Sequence, residues 1–171
     1  MTGLSEQGFE AIVLAIGAQV DLKLNIPGEG ANGVTAGIEF LRRVNSGKDI
    51  GAGHQVLVIG GGNTAVDASR VSTRLGAGHV TILYRRSRDE MPAIRDEIAA
   101  ALKEGIDIET LVSPREAMVK NGHVAGLKCV KNRLGEPDSR GRRMPEPIPG
   151  SEFNIEADSV IVAIGQVPDE S

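Results

Sequence analysis

A single cysteine, Cys129, occurs in 171 residues. No internal disulfide, CxxC redox pair or cysteine-based metal site can be built from it. Positive charge is not in excess either: 19 Lys+Arg against 23 Asp+Glu give a net charge of −4, whereas a nucleic-acid protein usually carries a basic surplus. No apolar run approaches the roughly 18–20 residues needed to span a bilayer, and no signal peptide is visible. A soluble cytoplasmic protein, with no nucleic-acid or membrane partner, is the expectation. What is abundant is glycine, 22 residues, against an ordinary share of about 7%. Without a collagen-like period, these glycines are expected to do local backbone work. Apolar residues at 40% and charged residues at 25% are ordinary globular usage, and the length suits one domain with a real core.

The run Phe9–Ala18, rich in Ile and Val, reads as a buried strand. Thr35 is placed to cap a short helix with Ile38, Leu41 and Val44 on one face and Gly47 at its stop. Gln55–Ile59 is a run of β-formers leading into Gly60-Gly61-Gly62 and a helix from about Asn63 to Leu75, with Thr64, Ala68, Val71 and Leu75 as its buried stripe. Val80–Tyr84 is the next strand. Pro92 opens another helix, whose Ile94, Ile98 and Leu102 share a face, and Ile106–Val112 is a third strand. The β-α-β-α-β order predicts an α/β, Rossmann-like parallel sheet with helices on both faces. An antiparallel hairpin is added, Ala117–Lys120 and His123–Lys131 around Asn121-Gly122. Leu134–Ser151, with four prolines, reads as a polar loop. Ser159–Gln166 closes the chain as a strand ending, like residues 12–18, in Ala-Ile-Gly.

Gly60 to Ala65 fits G-x-G-x-x-A directly after a strand and before a helix, the context in which this pattern binds dinucleotides. Gly60 permits the tight turn, Gly62 lets the backbone approach a pyrophosphate, and Ala65 lets helix and strand pack closely. The free N–H groups near Asn63 and Thr64 lie at the positive end of the helix dipole and favour a phosphate. An NAD site usually places an acid at the end of the second strand to take the ribose hydroxyl. Here Arg85, Arg86 and Arg88 stand instead, and guanidinium groups pair with a 2′-phosphate. NADP(H) is therefore expected over NAD(H), and the missing acid also counts against S-adenosylmethionine.

No catalytic set and no metal site are expected. His54, His79 and His123 are scattered, Ser69 and Ser72 lack a histidine partner, and Cys129 reads as a small core residue. Hydride transfer needs no protein nucleophile, because the cofactor carries that chemistry. A nucleotide-sensing module without redox turnover is the alternative from another class. A reductase of the thioredoxin reductase type would require a cysteine pair.

VLVIGGGNTAVDASR and VTILYRRSRDEMPA, with IPGE upstream and GRRMPEPIPGSEF and VIVAIGQVPD downstream, together resemble the small subunit of glutamate synthase and its flavoprotein relatives. Dihydropyrimidine dehydrogenase and NADPH-dependent ferredoxin oxidoreductases are among these, and the likeness covers roughly residues 9 to 169. The resemblance implies an NADPH domain inserted in a FAD domain. Residues 1–25 would be the connecting strand from the FAD domain, 26–157 the NADPH-binding domain, and 158–171 the strand returning to it. Gly61, Gly62, Asn63 and Thr64 would hold the pyrophosphate region, Arg85 and Arg86 the 2′-phosphate, and Ala163, Ile164 and Gly165 would lie near the nicotinamide. Met91-Pro92 would be structural. In such a parent NADPH delivers hydride to FAD, and electrons pass to iron–sulfur centres and to a large subunit or a ferredoxin-type partner. No FAD glycine motif precedes Phe9, so the chain is expected to be an excised NADPH domain, inactive by itself.

Overall fold

The computed structural model describes residues 3, 6–11, 13, 15, 17–18, 20–48, 50–51, 53–139 and 141–168. In chain order the elements are β1 (Val20–Asp21), β2 (Val34–Ala36), α1 (Gly37–Asn45), β3 (Gln55–Ile59), α2 (Asn63–Arg74), β4 (His79–Tyr84), α3 (Arg95–Lys103) and β5 (Asp107–Thr110). Then follow β6 (Val112–Lys120), β7 (His123–Pro137), β8 (Arg143–Glu156), β9 (Ser159–Val162) and β10 (Gln166–Val167). Among the described residues, no helix is long and apolar enough to cross a membrane.

Five strands form a parallel sheet in the order β2-β9-β3-β4-β5. Its centre reads as unbroken apolar sequence because both faces are covered. Side chains alternate across the pleat. Val56, Val58, Val80 and Ile82 pack with Phe40, Ala65, Ala68 and Ile98 of the helices. Leu57, Ile59 and Leu83 turn the other way, onto Ala117, Leu127 and Cys129 of a three-stranded antiparallel sheet β6-β7-β8. The α/β, Rossmann-like class is as expected, but the helices do not lie on both faces. The crossovers β2 to β3, β3 to β4 and β4 to β5 all advance in one direction across the sheet. Right-handed crossovers in one direction place every helix on one side, and the antiparallel sheet takes the other.

Several local expectations are corrected. α2 buries Ala65, Val66, Ala68, Ser69 and Ser72, while Leu75 is exposed. The stripe is rotated towards small residues, which let the helix come close to the sheet. The buried Ser69 and Ser72 hydroxyls donate to the Ala65 and Ala68 carbonyls at 2.7 and 2.8 Å, a structural use that satisfies them. Thr35 lies in β2 and Ala36 is the N-cap of α1. Pro92 precedes α3, and Ile94, two residues on, is the exposed N-cap.

The hairpin is found at Asn121-Gly122, whose φ values of 52° and 78° suit a two-residue turn between antiparallel strands. The proline-rich stretch after Leu134 is not a loop. Its second half is β8, paired with β7 through Asn132–Pro147 and Leu134–Pro145. β8 is an edge strand, where a missing N–H costs no ladder bond. The run Phe9–Ala18 is no strand in its described residues, and Phe9 and Val13 are exposed; Ile12, Leu14 and Ile16 lie outside the described residues. The last strand is present over Ser159–Val162, but in the middle of the sheet, bonded to β2 and β3. Ala163–Gly165 follows it outside any strand, and Val20–Asp21 pairs antiparallel with Gln166–Val167.

Candidate functional site

The C-terminal ends of β9, β3 and β4 lie side by side, and each continues into a segment singled out from the sequence. Gly60–Thr64 follows β3, Arg85–Arg86 follows β4, and Ala163–Gly165 follows β9. In open α/β sheets this rim is where ligands bind.

Each of the three glycines has a separate reason. Gly60 has φ of 146°, and a Cβ there would run into the Ala163 carbonyl. Its N–H donates to the Leu83 carbonyl at 3.0 Å, while Ala163 donates to Ile59 at 2.8 Å. Gly60 thus locks three strand ends together. A Cβ on Gly61 would lie 2.5 Å from the Tyr84 ring, so this residue gives room to the aromatic at the end of β4. Gly62 has no such neighbour: nothing lies within 4 Å of its Cβ position, and its φ of −90° is open to any residue. As the N-cap of α2 it offers no side-chain acceptor to the first-turn N–H groups. Open space, free donors and the helix dipole coincide there. That is the geometry an anion requires, so these residues fit a pyrophosphate. Asn63 turns away from this space, its Oδ1 accepting the Ile94 N–H at 2.9 Å and tying α2 to the approach of α3.

The arginines are not equivalent. Arg85 is exposed, whereas Arg86 is only 5% exposed and donates Nε to the Arg143 carbonyl at 2.7 Å. Arg88 is exposed on a 3-10 turn, Arg88–Glu90. Ser87 caps that turn, with Glu90 Oε2 accepting from the Ser87 amide and hydroxyl at 3.2 and 2.7 Å. Arg143 Nε donates to Glu90 Oε1 at 3.2 Å. Burial pushes the Glu90 carboxyl up, but the Ser87 bonds and Arg143 outweigh it and hold it below the ordinary carboxylate value. It is therefore ionised at neutral pH, and the link from β8 to this turn is a charged one.

A cleft of about 640 Å³ opens under the rim, on the side of the antiparallel sheet. Of the expected residues, Gly60, Arg85, Arg86 and Ile164 line it. Gly61 to Thr64, Arg88, Ala163 and Gly165 do not. Ala163 is buried at the strand junction, and the Gly165 carbonyl accepts the Leu22 N–H at 3.0 Å. Two further arginines line it: Arg115 on β6, which no motif singled out, and Arg142 just before β8, which with Arg140 and Arg143 reads from the sequence most simply as a solvated charge and otherwise as a ligand or partner contact. Motif reading also missed Asn132, 4% exposed, whose Nδ2 donates to the Arg85 carbonyl at 3.0 Å and to Ser113 Oγ at 2.8 Å. The signal that could have found it is a polar residue at an inward position of a strand whose other buried residues are apolar or glycine.

The chain is 49% identical over 170 residues to the NADPH-Fe(3+) oxidoreductase subunit beta of Geobacter sulfurreducens, covering 97% of this chain and 25% of that one. It is 38% identical over 173 residues to the glutamate synthase [NADPH] small chain of Escherichia coli K12, covering 94% and 36%. The chain thus spans between a quarter and somewhat over a third of these relatives. Among solved structures, FprA of Mycobacterium tuberculosis in complex with NADPH superposes with a TM-score of 0.80 at 22% identity, over 100% of this chain and 54% of that one, a likeness of fold. The resemblance to the glutamate synthase small subunit read from the motifs is borne out. Residues 3–171 match the family model of the pyridine nucleotide-disulphide oxidoreductases, and to that family the chain belongs.

Proposed function

We propose that this chain is the NADPH-binding unit of a FAD-dependent oxidoreductase resembling the glutamate synthase small subunit. The observation that carries the reading is one juxtaposition. An uncapped helix N-terminus with open space at Gly62 stands beside a strand end that carries Arg85 and Arg86 where an acid would favour NAD. When bound, NADPH supplies a hydride, which the flavin of the parent protein accepts. The chain's own part is to hold and orient. The N–H groups around Gly62, Asn63 and Thr64 take the pyrophosphate. Arg85 takes the 2′-phosphate, with Arg86 bracing its strand end against β8. Ala163–Gly165 flanks the nicotinamide end.

Two segments connect this unit to the flavin domain, residues 1–25 on one side and 158–171 on the other. The second begins with Ser159–Val162, which is hydrogen-bonded to β2 and β3. The ribbon of β1 with β10 ties the two connections together. Passage of electrons to iron–sulfur centres and a large subunit or ferredoxin-type partner, in the cytoplasm, completes the reading. Both relatives compared above carry NADPH in their names, which supports the choice of cofactor.

Calorimetry with NADPH, NADH and S-adenosylmethionine tests the assignment. NADPH is expected to bind more tightly than NADH by ten- to a hundredfold. A charge-assisted hydrogen bond to phosphate contributes roughly 1.5–3 kcal/mol, and about 1.4 kcal/mol is tenfold in affinity. Equal affinity for the two nicotinamides, or tighter binding of S-adenosylmethionine, would overturn it.

A further inference from the structure

The cleft is charged with one sign. Its walls carry Lys23, Arg85, Arg86, Arg115 and Arg142, and no Asp or Glu among the described lining residues. This is in a chain whose net charge is −4, so the cations are concentrated here against the average. Like charges gathered around one concavity repel one another and focus a positive potential into it, which an anion relieves. Three of the five come from outside the β-α-β unit. Arg115 lies on β6, and Arg142 lies in the turn between β7 and β8.

Arg142 is brought to this place by two fixed contacts. Arg86 Nε holds the carbonyl of the next residue, Arg143, at 2.7 Å, so the backbone immediately after Arg142 is pinned to the end of β4. On its other side the Arg142 amide and guanidinium both bond Asp138, at 2.9 and 3.2 Å. The side chain is still 55% exposed. A guanidinium carries five donors in a planar fork, and a partner on one edge leaves the other free for phosphate oxygens.

Resting on the NADPH reading above, we propose that Arg142 is a further specificity-determining residue, which meets the 2′-phosphate from the antiparallel sheet while Arg85 meets it from β4. The phosphate would then be clamped between two layers of the fold. Discrimination between NADPH and NADH would depend on the β7–β8 turn as well as on the arginines that follow β4.

The test measures binding of NADPH, NADH and adenosine 2′,5′-bisphosphate to the unaltered chain and to Arg142→Ala, Arg142→Lys and Arg85→Ala. Thermal unfolding of each variant serves as the check on folding. Arg142→Ala is expected to weaken NADPH and the bisphosphate by about three- to tenfold and leave NADH unchanged, the discount reflecting its exposure. Arg142→Lys should recover part of the loss, since it keeps the charge but not the fork. If Arg142→Ala changes nothing while Arg85→Ala weakens NADPH alone, Arg142 merely pairs with Asp138; the inference fails and the cofactor reading stands. If Arg142→Ala weakens both nicotinamides equally, it shapes the cleft without meeting the phosphate, and the inference fails. If neither variant alters the preference, the cofactor reading falls with it.

Discussion

At the scale of single residues, the glycines of one motif separate fold from function. Gly60 stands at φ 146° against the Ala163 carbonyl, so Gly60→Ala strains the backbone and pushes three strand ends apart. Gly62 has an ordinary φ and empty space where a Cβ would go, so Gly62→Ala should fold as well as the natural sequence. It would nevertheless put a methyl group where the phosphate must approach. Thermal melting and NADPH titration of both variants are expected to give opposite patterns. Gly60→Ala should lose a few kcal/mol of stability, in the range of strained backbone positions, whereas Gly62→Ala should keep its melting temperature and lose at least tenfold in affinity. A Gly62→Ala variant that binds NADPH normally would remove the pyrophosphate from this helix end. Both glycines were legible in the sequence because strand, turn and helix start are contiguous there. Asn132 and Arg143 were not, because they reach Arg85 and Arg86 across 47 and 57 residues of chain. No local pattern encodes such a pairing.

At the scale of elements, the antiparallel sheet explains most of what the sequence concealed. β8 carries Pro145 and Pro147 inside a strand, which turn rules count as a breaker; only its edge position makes it compatible with a ladder. The apolar run at Phe9–Ala18 is the converse case, with strand composition and no strand among its described residues. β7 is the element that joins the layers, since Leu127 and Cys129 are fully buried against the parallel sheet. Burial pushes the Cys129 thiol up to about 12 from an ordinary value of 9.0. Only the thiolate is nucleophilic, so Cys129 should resist alkylating reagents between pH 7 and 9 in the folded chain and react on addition of denaturant. The sign of the pH effect follows from the same shift. Above the unfolded value the unfolded chain releases this proton and the folded chain keeps it, so this group's contribution to stability declines as pH rises from about 9 towards 12. Rapid labelling of Cys129 under native conditions would mean that the antiparallel sheet does not stay packed on the parallel one.

At the scale of the whole molecule, three layers converge on one rim. The parallel sheet sets Gly60–Thr64, Arg85–Arg86 and Ala163–Gly165 next to one another. The helices supply the dipole, and the antiparallel sheet pins the arginines and closes the cleft. The β-α-β core was legible because its hydrophobic periods are regular. The sidedness of the helices was not, because it depends on the direction of successive crossovers, which composition and spacing do not reveal. The most direct test of this convergence is residue-resolved nuclear magnetic resonance of the 18.0 kDa chain, titrated separately with NADPH and NADH. Amides of Gly61, Gly62, Asn63 and Thr64 are expected to shift with both ligands, and those of Arg85 and Arg86 with NADPH alone. Shifts centred instead on the groove between α1 and α2, around Leu41 and Arg70, or an identical pattern for the two nucleotides, would contradict the account.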